Sequence, residues 1–241
     1  GQALTEAGIV VVIPDYRLYP AVRFPVFVED AAQAVAYTRT VVGRYGGDPE
    51  KLFVMGHSSG AHIAALLATD ERYLRAVGGD RSWLRGFVGL AGPYDFAPTE
   101  AADLIGIFGP ASEQAASQPV NFVDADVPPT MLLHGEDDAV VSVNNSRGLA
   151  QRIAEEGGEP VLVTYPRMSH KKLIAVFGAP LRGLSDAPER VTQFIWETVE
   201  KPPRQVAPPA PAVSSGPSFE TAPIDDENPR PVETRPEPME P

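Results

Sequence analysis

The sequence predicts an α/β fold with a mostly parallel sheet and helices on both faces. Two general observations predict it. Short apolar runs alternate along the chain with segments whose apolar residues recur at helical spacing, and the runs are apolar at consecutive positions, as strands buried on both faces are. The third observation is local. Within residues 51–68 an apolar run enters a Gly-x-Ser-x-Gly turn and leaves as an alanine-rich amphipathic segment, which reads as a strand, a sharp elbow and a helix.

Taken in order, residues 1–7 read as the tail of a helix, Gly8 as its stop, and residues 9–13, Ile-Val-Val-Val-Ile, as a buried strand. After a proline-bearing loop, Ala31, Ala34, Val35, Thr38, Val41, Val42 and Tyr45 recur at helical spacing, until Gly46-Gly47-Asp48-Pro49 ends the helix. The strand at 52–55 and the elbow follow. Further apolar runs at 86–91, 130–134 and 160–165 read as three more strands. A helix from Ser142 carries Leu149, Ala150 and Ile153 and stops at Gly157-Gly158. The last helix opens on Asp186-Ala-Pro-Glu189, a capping-box-like arrangement, and presents Val191, Phe194, Ile195 and Thr198 on one face.

Two stretches break the alternation. Between residues 92 and 129, Pro93, Pro98, Pro110 and Pro119 interrupt it around a small apolar island at 104–108, and the segment reads as an insertion over the end of the sheet. From Lys201 the chain is dense in proline and nearly free of large apolar residues, so residues 201–241 read as a disordered acidic tail, leaving residues 1–200 as the domain.

Composition bounds the function. At 241 residues, 43% hydrophobic and 22% charged, the chain can bury a sizeable core. A net charge of -12 disfavours nucleic acid and anionic membranes as partners, and no stretch reaches the length of a membrane span. The absence of cysteine excludes disulfides, thiol catalysis and Cys-ligated zinc, but says nothing of compartment. No metal or other cofactor is expected: His57 and His62 are five apart on the start of a helix, and His134 with Asp137 and Asp138 is a cluster by composition only.

Ser58, with Gly56 and Gly60 two residues to either side, is the candidate nucleophile; at the same offsets Ser59 has His57 and Ala61. A serine hydroxyl is weak until a base takes its proton, and the base needs a carboxylate to fix its tautomer and steady its charge. The run at 130–133 leads into His134-Gly-Glu-Asp-Asp138, and the run at 161–165 into Pro166-Arg-Met-Ser-His170. Both are loops at the carboxyl ends of strands, the edge where the elbow also sits, so three segments converge on one rim. His170 is the candidate base. Asp138 is chosen as the acid, with Asp137 its competitor, while Glu136 reads as a loop residue and His57 and His62 as packing or polar-shell residues.

With these residues placed, the chain resembles the α/β-hydrolase carboxylesterases, in the branch that includes kynurenine formamidases, isoprenylcysteine methylesterases and small bacterial esterases. The resemblance rests on Asp15-Tyr-Arg-Leu-Tyr-Pro20 with Phe24-Pro25, Gly56-His-Ser-Ser-Gly-Ala-His62, Gly92-Pro-Tyr-Asp95, His134-Gly-x-x-Asp138-x-x-Val141, and Tyr165-Pro with His170. It implies a cofactor-free serine hydrolase of small ester or amide substrates, with Ser58 as nucleophile, Asp138 as acid, His170 as base and the Ser59 N–H as one oxyanion donor. An arylformamidase is the alternative within that class. A non-catalytic remnant that binds a protein partner through its tail is the alternative outside it.

The departure from the family is at the start. Nothing in residues 1–13 matches the His-Gly-Gly-type loop that supplies the other oxyanion N–H groups. The family's strand before that loop would lie between residues 9–13 and the strand at 52–55. The chain is therefore expected to be part of a longer protein, with a gap in its sheet, and loss of an oxyanion donor costs on the order of a hundred- to a thousand-fold in turnover.

Overall fold

The computed structural model describes residues 1–202. The proline-rich segment read as a tail lies, from residue 203 on, outside the described residues. Four strands, β1 (Leu52–His57), β2 (Leu84–Leu90), β3 (Thr130–Gly135) and β4 (Val161–Tyr165), form one parallel sheet in the order β1-β2-β3-β4. Parallel strands need crossovers, and the chain supplies helices for them. The helices are α1 (Gln2–Glu6), α2 (Val26–Val41), α3 (Ser59–Thr69), α4 (Glu71–Ala76), α5 (Ala102–Phe108), α6 (Asn144–Glu155), α7 (His170–Ala175) and α8 (Ala187–Glu200), of which α3 to α6 lie in the connections between strands.

The pleat sends alternate side chains to two cores. On one face Phe87 and Leu132 pack with Val28 and Ala32 of α2, Leu66 of α3 and Leu149 and Ile153 of α6. On the other, Val88, Leu90, Met131 and Leu133 pack with Leu173 of α7 and Val191 and Ile195 of α8. Each such leucine contributes roughly 1.5–3 kcal/mol by leaving water. Helix α3 is buried from Ala61 to Thr69, and its four alanines let its backbone approach the sheet.

Residues 9–13 differ from expectation. They belong to no helix or strand among the described residues, and Val10, Val12 and Ile13 are exposed, Ile13 to 77%. β-branched residues suit a strand, yet a strand exists only through a hydrogen-bonded neighbour, and β1 pairs only with β2 among the described residues. The capping box on the last helix also does not form. Asp186 makes no side-chain cap; its carboxylate takes Arg190 Nε at 2.6 Å instead.

The segment at 92–129 holds α5 and two single 3₁₀ turns, Gln114–Ser117 and Pro119–Phe122. Irregular backbone must still satisfy its polar groups, and two buried amides do so here. Gln118 Oε1 accepts from the Phe96 and Ala97 N–H groups, while Gln114 bonds the Thr99 N–H, the Thr99 carbonyl and the Gly109 carbonyl. The segment's far end is pinned by buried Arg81, whose guanidinium meets both oxygens of Asp124 and the Thr69 carbonyl.

Candidate active site

The elbow forms where β1 hands over to α3. Ser58 sits at φ 55° and ψ −124°, a left-handed conformation that costs a non-glycine residue about 1–3 kcal/mol and persists only where its surroundings hold it. They do: the Ser58 N–H donates to the Leu90 carbonyl at 2.9 Å, continuing the β1–β2 ladder by one residue, and the Ser58 carbonyl caps α3 by accepting from Ala61 and His62. Ser59 is the first residue of α3, so its N–H has no acceptor within the helix and points out of its positive end.

The loops after β3 and β4 are laced together beside this turn. Glu136 N–H donates to the Tyr165 carbonyl at 2.9 Å and Asp137 N–H to the Met168 carbonyl at 3.2 Å. A β-carbon on Gly135 would overlap that Met168 carbonyl, so glycine is required there, a role the sequence reading missed. His170 opens α7, with its imidazole 10% exposed.

The structure brings three of the sequence-predicted residues into one line. His170 Nε2 lies 2.9 Å from Ser58 Oγ, and His170 Nδ1 lies 2.7 Å from Asp138 Oδ2. A carboxylate only accepts, so the Nδ1 proton points at Asp138 and Nε2 is left to accept from the Ser58 hydroxyl. The other Asp138 oxygen accepts from the Val140 and Val141 N–H groups, each at 2.9 Å. Burial pushes this carboxyl up, but the Val141 N–H, His170 and the Val140 N–H outweigh it, and its pKa lies below the usual carboxylate value. Asp137, the competitor, is exposed and contributes its backbone rather than its carboxylate to the loop.

A family model, BD-FAE, matches residues 1–153, which include Ser58 and Asp138 but not His170. The chain belongs to the BD-FAE family. Among its relatives are the probable isoprenylcysteine alpha-carbonyl methylesterase ICMEL1 of Arabidopsis thaliana, 28% identical over 76% of this chain and 43% of that protein, and the probable carboxylic ester hydrolase LipM of Mycobacterium tuberculosis, 28% identical over 66% and 41%. The chain thus spans a little under half the length of these curated relatives. A solved structure described as a truncated form of carbohydrate esterase from gut microbiota superposes with a TM-score of 0.70 at 22% identity, covering 83% of this chain and 77% of that one. The fold is that of the α/β-hydrolase esterases.

The other three histidines of this BD-FAE chain have tautomers fixed by what they face, because a carbonyl only accepts. His62 is fully buried on α3 and donates from Nε2 to the Ser117 carbonyl at 2.6 Å; burial pushes its pKa down to about 4. It is a packing residue, as the sequence suggests. His57 does more. It donates from Nε2 to the His170 carbonyl at 3.0 Å and packs against the His170 ring, tilted by 45° with centroids 4.6 Å apart, a contact across the fold that no local pattern signals. His134 donates from Nε2 to the Val141 carbonyl at 2.9 Å. Among the described residues no group of three or more His, Asp or Glu is arranged to hold a metal ion, and no helix is long and apolar enough to cross a membrane.

Proposed function

We propose that the chain is a serine hydrolase of carboxylic esters with small acyl groups. Ser58 is the nucleophile, His170 the base, Asp138 the acid and the Ser59 N–H one oxyanion donor. The observation that carries this reading is the unbroken hydrogen-bonded line Ser58 Oγ, His170 Nε2, His170 Nδ1, Asp138 Oδ2 at 2.9 and 2.7 Å, at the end of a strained elbow. The esterase names of its relatives support esters over amides.

Ser58 Oγ attacks the ester carbonyl while its proton passes to His170 Nε2, and Asp138 steadies the imidazolium. The oxyanion draws on the Ser59 N–H at the positive end of α3. Collapse expels the alcohol, which takes the proton from His170 and leaves an acyl group on Ser58. Water, deprotonated by the same imidazole, then releases the acid. No cofactor enters these steps.

Replacing Ser58 by alanine is expected to abolish cleavage of p-nitrophenyl acetate with the fold intact by circular dichroism. Persistent cleavage by a folded Ser58→Ala chain would overturn the assignment.

A further inference from the structure

The carboxylate of Asp138 has a second histidine against it. His134 is completely buried at the end of β3. Its Nε2 is 2.9 Å from the Val141 carbonyl and 3.4 Å from Asp138 Oδ2, the same oxygen that receives His170. Its Nδ1 is 2.8 Å from Ser146 Oγ on α6. Since the Val141 carbonyl accepts, the His134 proton is on Nε2, and the Ser146 hydroxyl donates to Nδ1 and anchors the ring there. Burial holds the ring neutral by lowering its pKa, with His170 facing it across the carboxylate.

The hydrogen bonds close a ring. Val141 donates its N–H to Asp138 Oδ1 and accepts at its carbonyl from His134, so the turn at 138–141 is held from inside by Asp138 and from behind by His134. At 3.4 Å the His134 N–H shares only a minor part of itself with Asp138 Oδ2. With both side chains fully buried, even that part lowers the basicity of the oxygen facing His170.

We propose that His134, held in one tautomer by the Val141 carbonyl and anchored by Ser146, is a positioning residue for the acid of the triad: it fixes the 138–141 turn, and so the Asp138 carboxylate, against His170 and tempers the basicity of Oδ2. The proposal rests on the triad assigned above. Asp138 touches the reacting base, and His134 acts only through it.

The test is the pH dependence of the rate at which a fluorophosphonate probe labels Ser58 in the full chain, for wild type, His134→Phe, His134→Gln, Asp138→Asn and the double variant His134→Phe with Asp138→Asn. His134→Phe should lower the plateau rate by roughly ten- to a hundred-fold, the scale of a misplaced reacting group. It should also move the acid limb to higher pH, because a more basic carboxylate favours the imidazolium. Glutamine, whose Nε2 can stand where the imidazole Nε2 stood, should recover most of the rate. With Asp138 already replaced, loss of His134 should cost little more, as for residues acting through one another. Equal cost in both backgrounds with an unmoved acid limb would overturn the proposal in favour of a purely structural histidine. Should His134→Phe not fold, Ser146→Ala removes only the hydrogen bond that anchors the ring at Nδ1. It should reproduce the acid-limb shift with a smaller loss, and wild-type behaviour would equally overturn the proposal. If Asp138→Asn itself labels at the wild-type rate, the triad reading fails first and is recognisable as the cause.

Discussion

The α-carbon of Gly56 lies against the Gly60 carbonyl with no room between them: a β-carbon on Gly56 would overlap that carbonyl and come within 2.5 Å of the Ala61 nitrogen. The converse does not hold, since a β-carbon on Gly60 would meet nothing within 4 Å. The two glycines of the elbow therefore differ. Gly56→Ala must push α3 off β1 and is expected to destabilise the domain by about 1–3 kcal/mol and to displace Ser58. Gly60→Ala is expected to be neutral or to stabilise the domain by up to about 1 kcal/mol, as alanine does in a helix. Urea denaturation of both variants checks the contrast.

The adjacent acids should separate cleanly. Asp138→Asn leaves the site's shape but loses the charge that orients His170 and steadies its cation, so turnover should fall on the order of 10⁴-fold. Asp137 is exposed and uses only its backbone, so Asp137→Asn should stay within about twofold, the range of ordinary surface substitutions. Steady-state rates on p-nitrophenyl acetate decide it.

His62 makes stability depend on pH. Its folded pKa of about 4 lies below the ordinary 6.5, so the unfolded chain takes up a proton in that window and the folded chain does not. The contribution is fully present above about pH 6.5 and is lost as pH falls towards 4, amounting to at most on the order of 3 kcal/mol. His62→Gln keeps a donor for the Ser117 carbonyl without the titration. The drop in Tm between pH 7 and pH 4.5 should therefore be smaller in the variant than in wild type.

Arg81 is 4% exposed and Asp124 51%, with Asp126 a further carboxylate at 4.0 Å. Asp124→Ala leaves a buried guanidinium short of its main partner. Because Asp124 is half in water and Asp126 remains, the expected loss is about 1–3 kcal/mol, below that of a fully buried pair. A lowered denaturation midpoint with an unchanged m-value would match it.

The elbow was legible because its chemistry is local: the glycine spacing, the strand before and the helix after all lie within residues 51–68. That Asp138 and His170 would meet beside Ser58 was legible because chain order and strand ends place them on one rim. The 9–13 segment misled because β-branched composition reports that a segment suits a strand, not that a neighbour is there to pair with it. The capping box failed for a similar reason, since Arg190 one turn on offered Asp186 a charged partner. What the sequence could not show were contacts joining distant elements: the buried amides of Gln114 and Gln118 holding the 92–129 segment, His57 on the His170 carbonyl, and Gly135 beneath Met168.

The central claim is that Ser58, and not its neighbour, is the activated nucleophile of this chain. The most direct measurement is fluorophosphonate labelling of the intact folded chain followed by peptide mass mapping. The account predicts one adduct, on Ser58, formed at a rate that collapses in His170→Ala. An adduct on Ser59, no adduct on the folded chain, or labelling of Ser58 indifferent to the loss of His170 would contradict it.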